Sequence, residues 1–343
     1  MSFAPDLAAG DTRPARAPFD GVLDAIGDTP LIALRRVLER RDVDLWAKLE
    51  SANPGGSAKD RPAAGMLRDA LERGLIGPGS TVVESSSGNL GVGLAQACRY
   101  HGLELICVVD ARAHETNVRT MRALGADVRV VTRPDPETGD LLVARLKLVA
   151  DLLASTPGAF WPNQYANAAN PAAHAAGTMR EIDVALEGEV DVLFVATSTT
   201  GTLRGCCDYL REHDRATRVV AVDARGSVLF GGTQGVRRLP GFGAGVETTL
   251  SLEARFDTLV RVSDLDCVVG CRRLVEREAI LAGASSGGVL HAVESISATL
   301  PSGARCAAIL PDGGAGYLET VYDDGWVERE LGRGPRELAA LVT

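Results

Sequence analysis

Aromatic residues are scarce in this chain, 4% of its 343 residues, so its core must be built from small aliphatic side chains. No cluster of Lys and Arg is dense enough to follow a phosphate backbone, and the net charge is −9, which excludes nucleic acid as a partner. No apolar run approaches the roughly 20 residues that span a bilayer, so a membrane role is excluded as well. The first 18 residues lack the apolar stretch of a secretory signal and read as a flexible arm. Seven cysteines, an odd number, offer no second Cys or His pair at metal-ligand spacing. They read as reduced, mostly buried thiols of a cytoplasmic protein, with no metal site. There is no Gly-Lys-Ser/Thr phosphate loop, and Gly88-Asn89-Leu90-Gly91-Val92-Gly93 has the wrong order for a dinucleotide fingerprint.

What is present is alternation. Hydrophobic residues make up 45% of the chain and glycines number 38, a balance that suits layered α/β packing. Strand-like runs at 45–49, 81–84, 103–109, 128–131, 190–196, 219–223, 259–262 and 305–310 are separated by helix-period segments. These cover 61–73, 90–101, 115–124, 141–154, 170–186, 202–214, 266–281 and 288–300. Such alternation predicts mostly parallel sheets covered on both faces, two three-layer units, with a site at the carboxyl ends of the strands. The expected division is a smaller mobile unit, 47–166, and a larger one made of 19–46 and 167–330. Residues 331–343 form a tail, and Gly232–Gly245 reads as a mobile loop.

Four connections carry chemistry. Lys59 follows the turn Asn53-Pro54-Gly55-Gly56 and precedes Asp60-Arg61 at a helix start, where an amine can be held rigidly to form a Schiff base. Arg61 reads as a structural ion-pair partner of Asp60. After the strand 81–84 comes Ser85-Ser86-Ser87-Gly88-Asn89-Leu90-Gly91, whose hydroxyls and backbone N–H groups at a helix start suit a carboxylate. The amide of Asn89 can donate to a phenolate oxygen. After the strand 190–196, Thr197-Ser198-Thr199-Thr200-Gly201-Thr202 makes a hydroxyl-rich phosphate cradle with no lysine in it. In Ala282-Gly283-Ala284-Ser285-Ser286-Gly287-Gly288, a serine hydroxyl can face a pyridine nitrogen. Ser285 there would leave the ring a weaker electron sink than a carboxylate would, which suits loss of a β-substituent. A phosphate held by hydroxyls, with the lysine far away in sequence, points to pyridoxal phosphate over a nucleotide.

Together these stretches resemble the fold-type II pyridoxal-phosphate family of β-replacement enzymes, typified by cysteine synthase and cystathionine β-synthase, with a tryptophan-synthase-β-like fold. The likeness runs from Gly27-Asp28-Thr29-Pro30-Leu31 to Ile309-Leu310-Pro311-Asp312-Gly313-Gly314. It implies that Lys59 holds pyridoxal 5'-phosphate covalently and serves as the catalytic base. Asn89 would contact the ring hydroxyl, Ser198, Thr199, Thr200, Gly201 and Thr202 would wrap the phosphate, and Ser285 would face the pyridine nitrogen. Ser86, Ser87 and Gly88 would clamp the substrate α-carboxylate, helped by Gln164.

Cysteine synthases usually carry Pro-Thr-Ser-Gly-Asn-Thr-Gly at the carboxylate loop and a more glycine-rich phosphate loop. This chain is instead similar to the branch that makes N-(2-amino-2-carboxyethyl)-L-glutamate, on Ser86–Gly91, Cys107–Asp110, Trp161–Asn167 and Val222–Gly231. That branch implies O-phospho-L-serine and L-glutamate as substrates and a homodimer. It also implies a product passed to an NAD-dependent dehydrogenase on the way to 2,3-diaminopropionate for a siderophore or peptide antibiotic. Two anionic substrates need local cations, and Arg145 and Arg225 are the candidates, with solvated surface arginines as the alternative for either. None of the five histidines is assigned a role. Two alternatives stay open: a cysteine synthase using O-acetylserine or O-phosphoserine with sulfide, and a non-catalytic pyridoxal-phosphate-binding pathway partner.

Overall fold

The structure is a computed structural model that describes residues 18–111, 113–137, 139 and 141–343, so the expected N-terminal arm lies almost wholly outside the described residues. A short strand β1 (Leu31–Ala33) pairs antiparallel with β2 (Asp44–Leu49), and α1 (Asp60–Glu72) follows. Next come β3 (Thr81–Ser85), α2 (Asn89–His101), β4 (Glu104–Asp110), α3 (Glu115–Ala123), β5 (Asp127–Val131) and α4 (Leu141–Ser155). The strands β3, β4 and β5 form a three-stranded parallel sheet. Leu105, Cys107 and Val109 alternate with Val108 along β4, so one face packs on α1, α2 and α3 while Val83 and Val108 meet Val149 of α4 on the other.

Helix α5 (Ala169–Ala173) passes through a π-helical turn (His174–Met179) into α6 (Arg180–Ala185). After these come β6 (Val192–Ala196), α7 (Gly201–Glu212), β7 (Arg218–Ala224), α8 (Thr249–Leu252), β8 (Thr258–Val262), α9 (Asp264–Glu278), α10 (Ala284–Ile296) and β9 (Arg305–Leu310). The chain closes with α11 (Asp324–Leu331) and α12 (Pro335–Val342). The second sheet has the order β1-β2-β9-β6-β7-β8 and is parallel apart from β1. Its central strands are apolar on both faces, as double coverage by helices requires: Phe194 and Val220 pack toward α9 and α10, Leu193 and Ala221 toward α6 and α7. Each such side chain withdrawn from water contributes about 1.5–3 kcal/mol. Helices α9 and α10 meet almost backbone to backbone, since a Cβ on Gly270 would fall 2.1 Å from the Gly287 carbonyl. The architecture is the α/β arrangement of parallel sheets that the alternation predicted.

Three expectations need correction. The boundary at 46/47 falls inside β2, which pairs with β9 along its whole length, so a division can come only after Leu49. Residues 331–343, expected as a tail, are part of the packed fold: α12 buries Leu338 and Val342 against the core, and Arg273 donates to the carbonyl of Val342. A left-handed Gly332 and Pro335 in the first turn are the stop and start signals behind that break. The loop 232–245 is anchored at its middle by the buried side chains of Leu239 and Phe242.

Candidate active site

Lys59 closes the connection that leaves β2. Asn53 ties this turn together, its Nδ2 donating to the Glu50 carbonyl at 2.8 Å and the Ser57 carbonyl at 3.1 Å while its Oδ1 accepts from Gly27 N–H at 2.9 Å. Gly56 takes the left-handed conformation the turn needs, at φ +86. The turn is then stitched to the end of β9, with Ala58 N–H donating to the Pro311 carbonyl at 2.7 Å and Ser57 bridging Asp312. Lys59 becomes the N-cap of α1, held by a bond from its own N–H to Ser57 Oγ at 3.1 Å.

The chain has three lysines, and two are committed elsewhere. Lys48 pairs with Glu181 at 2.7 Å and Lys147 with Asp135 at 2.6 Å. Among the described residues Lys59 has no ion pair. Burial lowers its pKa, against the opposing charges of Asp312 and Glu50, and the positive end of α1 acts in the same direction as burial. Both effects favour the neutral, nucleophilic form of the amine over the charged one.

Arg61 does not pair with Asp60, as the sequence suggested. Its guanidinium reaches Glu50 at 2.7 and 2.8 Å and Glu181 at 2.7 and 2.8 Å. Asp60 turns back to the Gly55 N–H, and burial pushes its carboxyl up to about 7.

The hydroxyl-rich loop at the end of β6 is locked to β7, with Thr197 N–H donating to the Val222 carbonyl at 2.9 Å and Thr197 Oγ1 donating to Asp223 Oδ1 at 3.0 Å. Thr200 stands at φ +68, a conformation that costs a threonine roughly 1–3 kcal/mol and turns the chain straight into α7. A Cβ at Gly201 would lie 2.1 Å from Asn170 Oδ1, so only glycine lets the helix begin there. The first N–H groups of this 12-residue helix face away from any intrahelical acceptor, a ready site for an anion. Ser285 sits in the first turn of α10. Ser198, Thr199, Thr200, Thr202 and Ser285 line one cleft with Lys59, and the loop places Gly201 among them.

The second loop, between β3 and α2, lies beside this cleft. Ser86 Oγ accepts from Gly91 N–H at 3.1 Å, Gly88 caps α2 with open space where a Cβ would be, and Gln164 Nε2 donates to the Ser85 carbonyl at 3.3 Å. Arg145 reaches into this loop from α4, donating to Ser87 Oγ at 2.7 Å and lying 3.4 Å from Asp110. Asn89 begins α2 and donates to Asp312 Oδ2 at 2.8 Å. Arg225 is different. It follows β7 with an exposed side chain, and although neither arginine is among the residues lining the cleft with Lys59, only Arg145 is bonded to the 85–91 loop.

Several residues here carried no signal in the sequence. Glu84 is buried beneath the carboxylate loop, accepting from Trp161 Nε1 at 3.0 Å and Ser85 N–H at 2.8 Å, and burial pushes it up to about 7. His174 lies in the π turn between Thr178 Oγ1 at 2.9 Å and Thr202 Oγ1 at 3.2 Å, its pKa driven down by burial. Asp312 joins Asn89 to Tyr317, whose hydroxyl donates at 2.9 Å. A π turn has no local sequence signature, and neither does a lone buried Glu near the end of a strand or a lone Asp just past one.

The family described as pyridoxal-phosphate dependent enzyme matches residues 22–312. The chain is 45% identical over 308 residues to the N-(2-amino-2-carboxyethyl)-L-glutamate synthase of Ralstonia nicotianae, spanning 90% of this chain and 91% of that one. It is 42% identical over 328 residues to the synthase of the same name from Cupriavidus metallidurans, spanning 94% and 96%. Among solved structures, the O-acetylserine dependent cystathionine beta-synthase from Helicobacter pylori has a TM-score of 0.81 at 29% identity, covering 89% of this chain and 99% of that one. O-ureido-L-serine synthase has a TM-score of 0.81 at 31% identity, covering 92% and 100%. The fold is therefore that of fold-type II pyridoxal-phosphate enzymes.

The donor set suits that cofactor. One enclosed lysine of lowered pKa, a lysine-free cradle of hydroxyls and helix N–H groups, and a neutral serine at a second helix start surround a single cleft. No group of His, Cys, Asp and Glu among the described residues could hold a metal ion instead. With fold, site and likeness in agreement, this chain belongs to the pyridoxal-phosphate dependent enzymes.

Proposed function

We propose that this enzyme joins O-phospho-L-serine and L-glutamate into N-(2-amino-2-carboxyethyl)-L-glutamate and phosphate. The observation that carries the reading is the 45% identity to a synthase of that name across 90% of the chain. The position of Arg145 against Ser87 supports it, because a phosphorylated amino acid brings more negative charge to the cleft than an acetylated one.

Pyridoxal phosphate supplies the electron sink that lets a substrate lose its α-proton and then its β-substituent. In this reading Lys59 holds the cofactor, Asn89 donates to its ring oxygen, Ser198 to Thr202 hold its phosphate and Ser285 faces its pyridine nitrogen. Ser86, Ser87 and Gly88 bind the substrate α-carboxylate with hydroxyls and N–H groups, with Gln164 bracing the loop from behind. Once substrate displaces it, Lys59 Nζ takes the proton from Cα, and it returns that proton after the glutamate amine has bonded to the β-carbon. Arg145 offsets the charge of the departing phosphate. Closure of the unit built on β3, β4 and β5 over the cleft keeps water from competing with glutamate. The enzyme works as a cytoplasmic homodimer, and its product goes to an NAD-dependent dehydrogenase that frees 2,3-diaminopropionate for a siderophore or peptide antibiotic.

The test is an acceptor screen. Enzyme and O-phospho-L-serine are incubated with L-glutamate or with sulfide, and product masses are read. The glutamate adduct is expected. Cysteine alone would make this a cysteine synthase, and no product from either would leave a binding protein.

A further inference from the structure

Asp312 stands where β9 leaves the large sheet, and its side chain is buried. Two donors converge on one of its oxygens: Asn89 Nδ2 at 2.8 Å and the Tyr317 hydroxyl at 2.9 Å both reach Oδ2. Its backbone bridges Ser57, two residues before Lys59, and its carbonyl accepts from Gly283 N–H at 3.0 Å, two residues before Ser285. The other carboxyl oxygen, Oδ1, is buried without a hydrogen-bond partner and packs against Gly283, where an added Cβ would lie 2.0 Å from it. One residue thus touches the approach to Lys59, the approach to Ser285, and Asn89 itself.

A side-chain amide can present either its oxygen or its nitrogen by turning over, and its nitrogen carries two hydrogens. Asp312 can only accept at Oδ2, so it holds the nitrogen side of Asn89 toward itself and spends one of those hydrogens. The second hydrogen then has a set direction. Burial raises the Asp312 carboxyl, while Asn89, Tyr317 and Lys59 hold it down. Ionised or protonated on Oδ1, it keeps Oδ2 as an acceptor.

We infer that Asp312 is a positioning residue that fixes the amide of Asn89 so that its remaining N–H donates to the ring oxygen of the cofactor. This rests on the role proposed above for Asn89. Tyr317 completes the arrangement by holding Oδ2 from the other side.

The experiment titrates pyridoxal phosphate into the cofactor-stripped enzyme and four variants, reading the dissociation constant and the visible absorbance band. Asp312→Ala is expected to weaken binding roughly 5- to 10-fold, the net worth of one oriented hydrogen bond, and to move the band. Asp312→Asn keeps an acceptor oxygen and should stay within about 2-fold of the parent. In Asn89→Ala the band moves and binding weakens, and adding Asp312→Ala to it changes nothing further, because the two act as one unit. Asp312→Ser, too short to reach Asn89, replaces Asp312→Ala if the alanine variant does not fold, with the same loss expected. Parental affinity and band in Asp312→Ala, or a full additional loss in the double variant, overturns the inference while leaving Asn89 in its role. Parental behaviour of Asn89→Ala overturns that role, and the inference with it.

Discussion

Replacing Arg61 with methionine tests how the turn bearing Lys59 is held. The Arg61 side chain is 4% exposed and makes ion pairs with two carboxylates, Glu50 and Glu181, besides a longer bond to the Thr29 hydroxyl at 3.3 Å. Glu181 would survive the change with a partner, since Lys48 remains 2.7 Å away. Glu50 would not. It is wholly buried and would keep only the Thr29 hydroxyl at 2.8 Å and Asn53 Nδ2 at 3.0 Å, neutral donors that cannot offset a full charge. Stranding one buried charge costs about 3–5 kcal/mol, and methionine fills much of the volume, so little of that loss is cavity. Because Glu50 also holds Asn53, and Asn53 holds the turn, cofactor binding should weaken as stability falls. Urea unfolding followed by circular dichroism should show Arg61→Met destabilised by about 3–5 kcal/mol, and Glu50→Gln added to it should recover about half. A variant within about 1 kcal/mol of the parent, or a double variant no better than the single, would refute the reasoning.

Arg145→Met should raise KM for O-phospho-L-serine about 10- to 100-fold, as steady-state kinetics would show, with a far smaller effect on an O-acetylated donor. Glu84, ordinarily near 4.5 and pushed up to about 7, stays protonated in the fold after it would have ionised in the unfolded chain. Its contribution is thus full below pH 4.5 and lost as pH rises through 7, and Glu84→Gln should flatten that fall by on the order of 3 kcal/mol in denaturation curves collected from pH 4.5 to 8. Glu181, held near 2 by Arg61 and Lys48 against its own burial, acts oppositely: its stabilisation is present above pH 4.5 and fades as pH falls toward 2. Leu338→Ala should cost about 2–5 kcal/mol in the same unfolding assay, because α12 is part of the core, whereas a loose tail would give almost no change.

Much of this architecture is legible in the sequence, for a physical reason. Most strands are largely aliphatic, and β3, β4, β5, β6 and β8 end on or just before Ser, Asp or Thr, residues that cluster in N–H-rich turns at the ends of parallel strands. Lys59 and the loop Ser198–Thr202 lie in connections that follow strands and Ser285 in a turn between two helices, and Lys59, Ser198, Thr199, Thr200, Thr202 and Ser285 line one cleft. What stayed hidden depends on distance along the chain. The bond from Asn89 to Asp312 spans 223 positions, and that from Arg61 to Glu181 spans 120, so neither partner could be read from neighbours. Local adjacency even misled, since Asp60 beside Arg61 turned to Gly55 instead. Arg145 and Arg225 were indistinguishable as sequence; only the packing of α4 turns one of them toward Ser87. The strand β1 is three residues long, too short for alternation to register.

The central claim is that one lysine of three carries the cofactor. Borohydride reduction of the loaded enzyme, proteolysis and mass spectrometry of the peptides test it directly. A pyridoxyl-phosphate adduct on Lys59, with Lys48 and Lys147 unmodified, is the predicted result. An adduct on either of those two, or no adduct on any peptide, would contradict it.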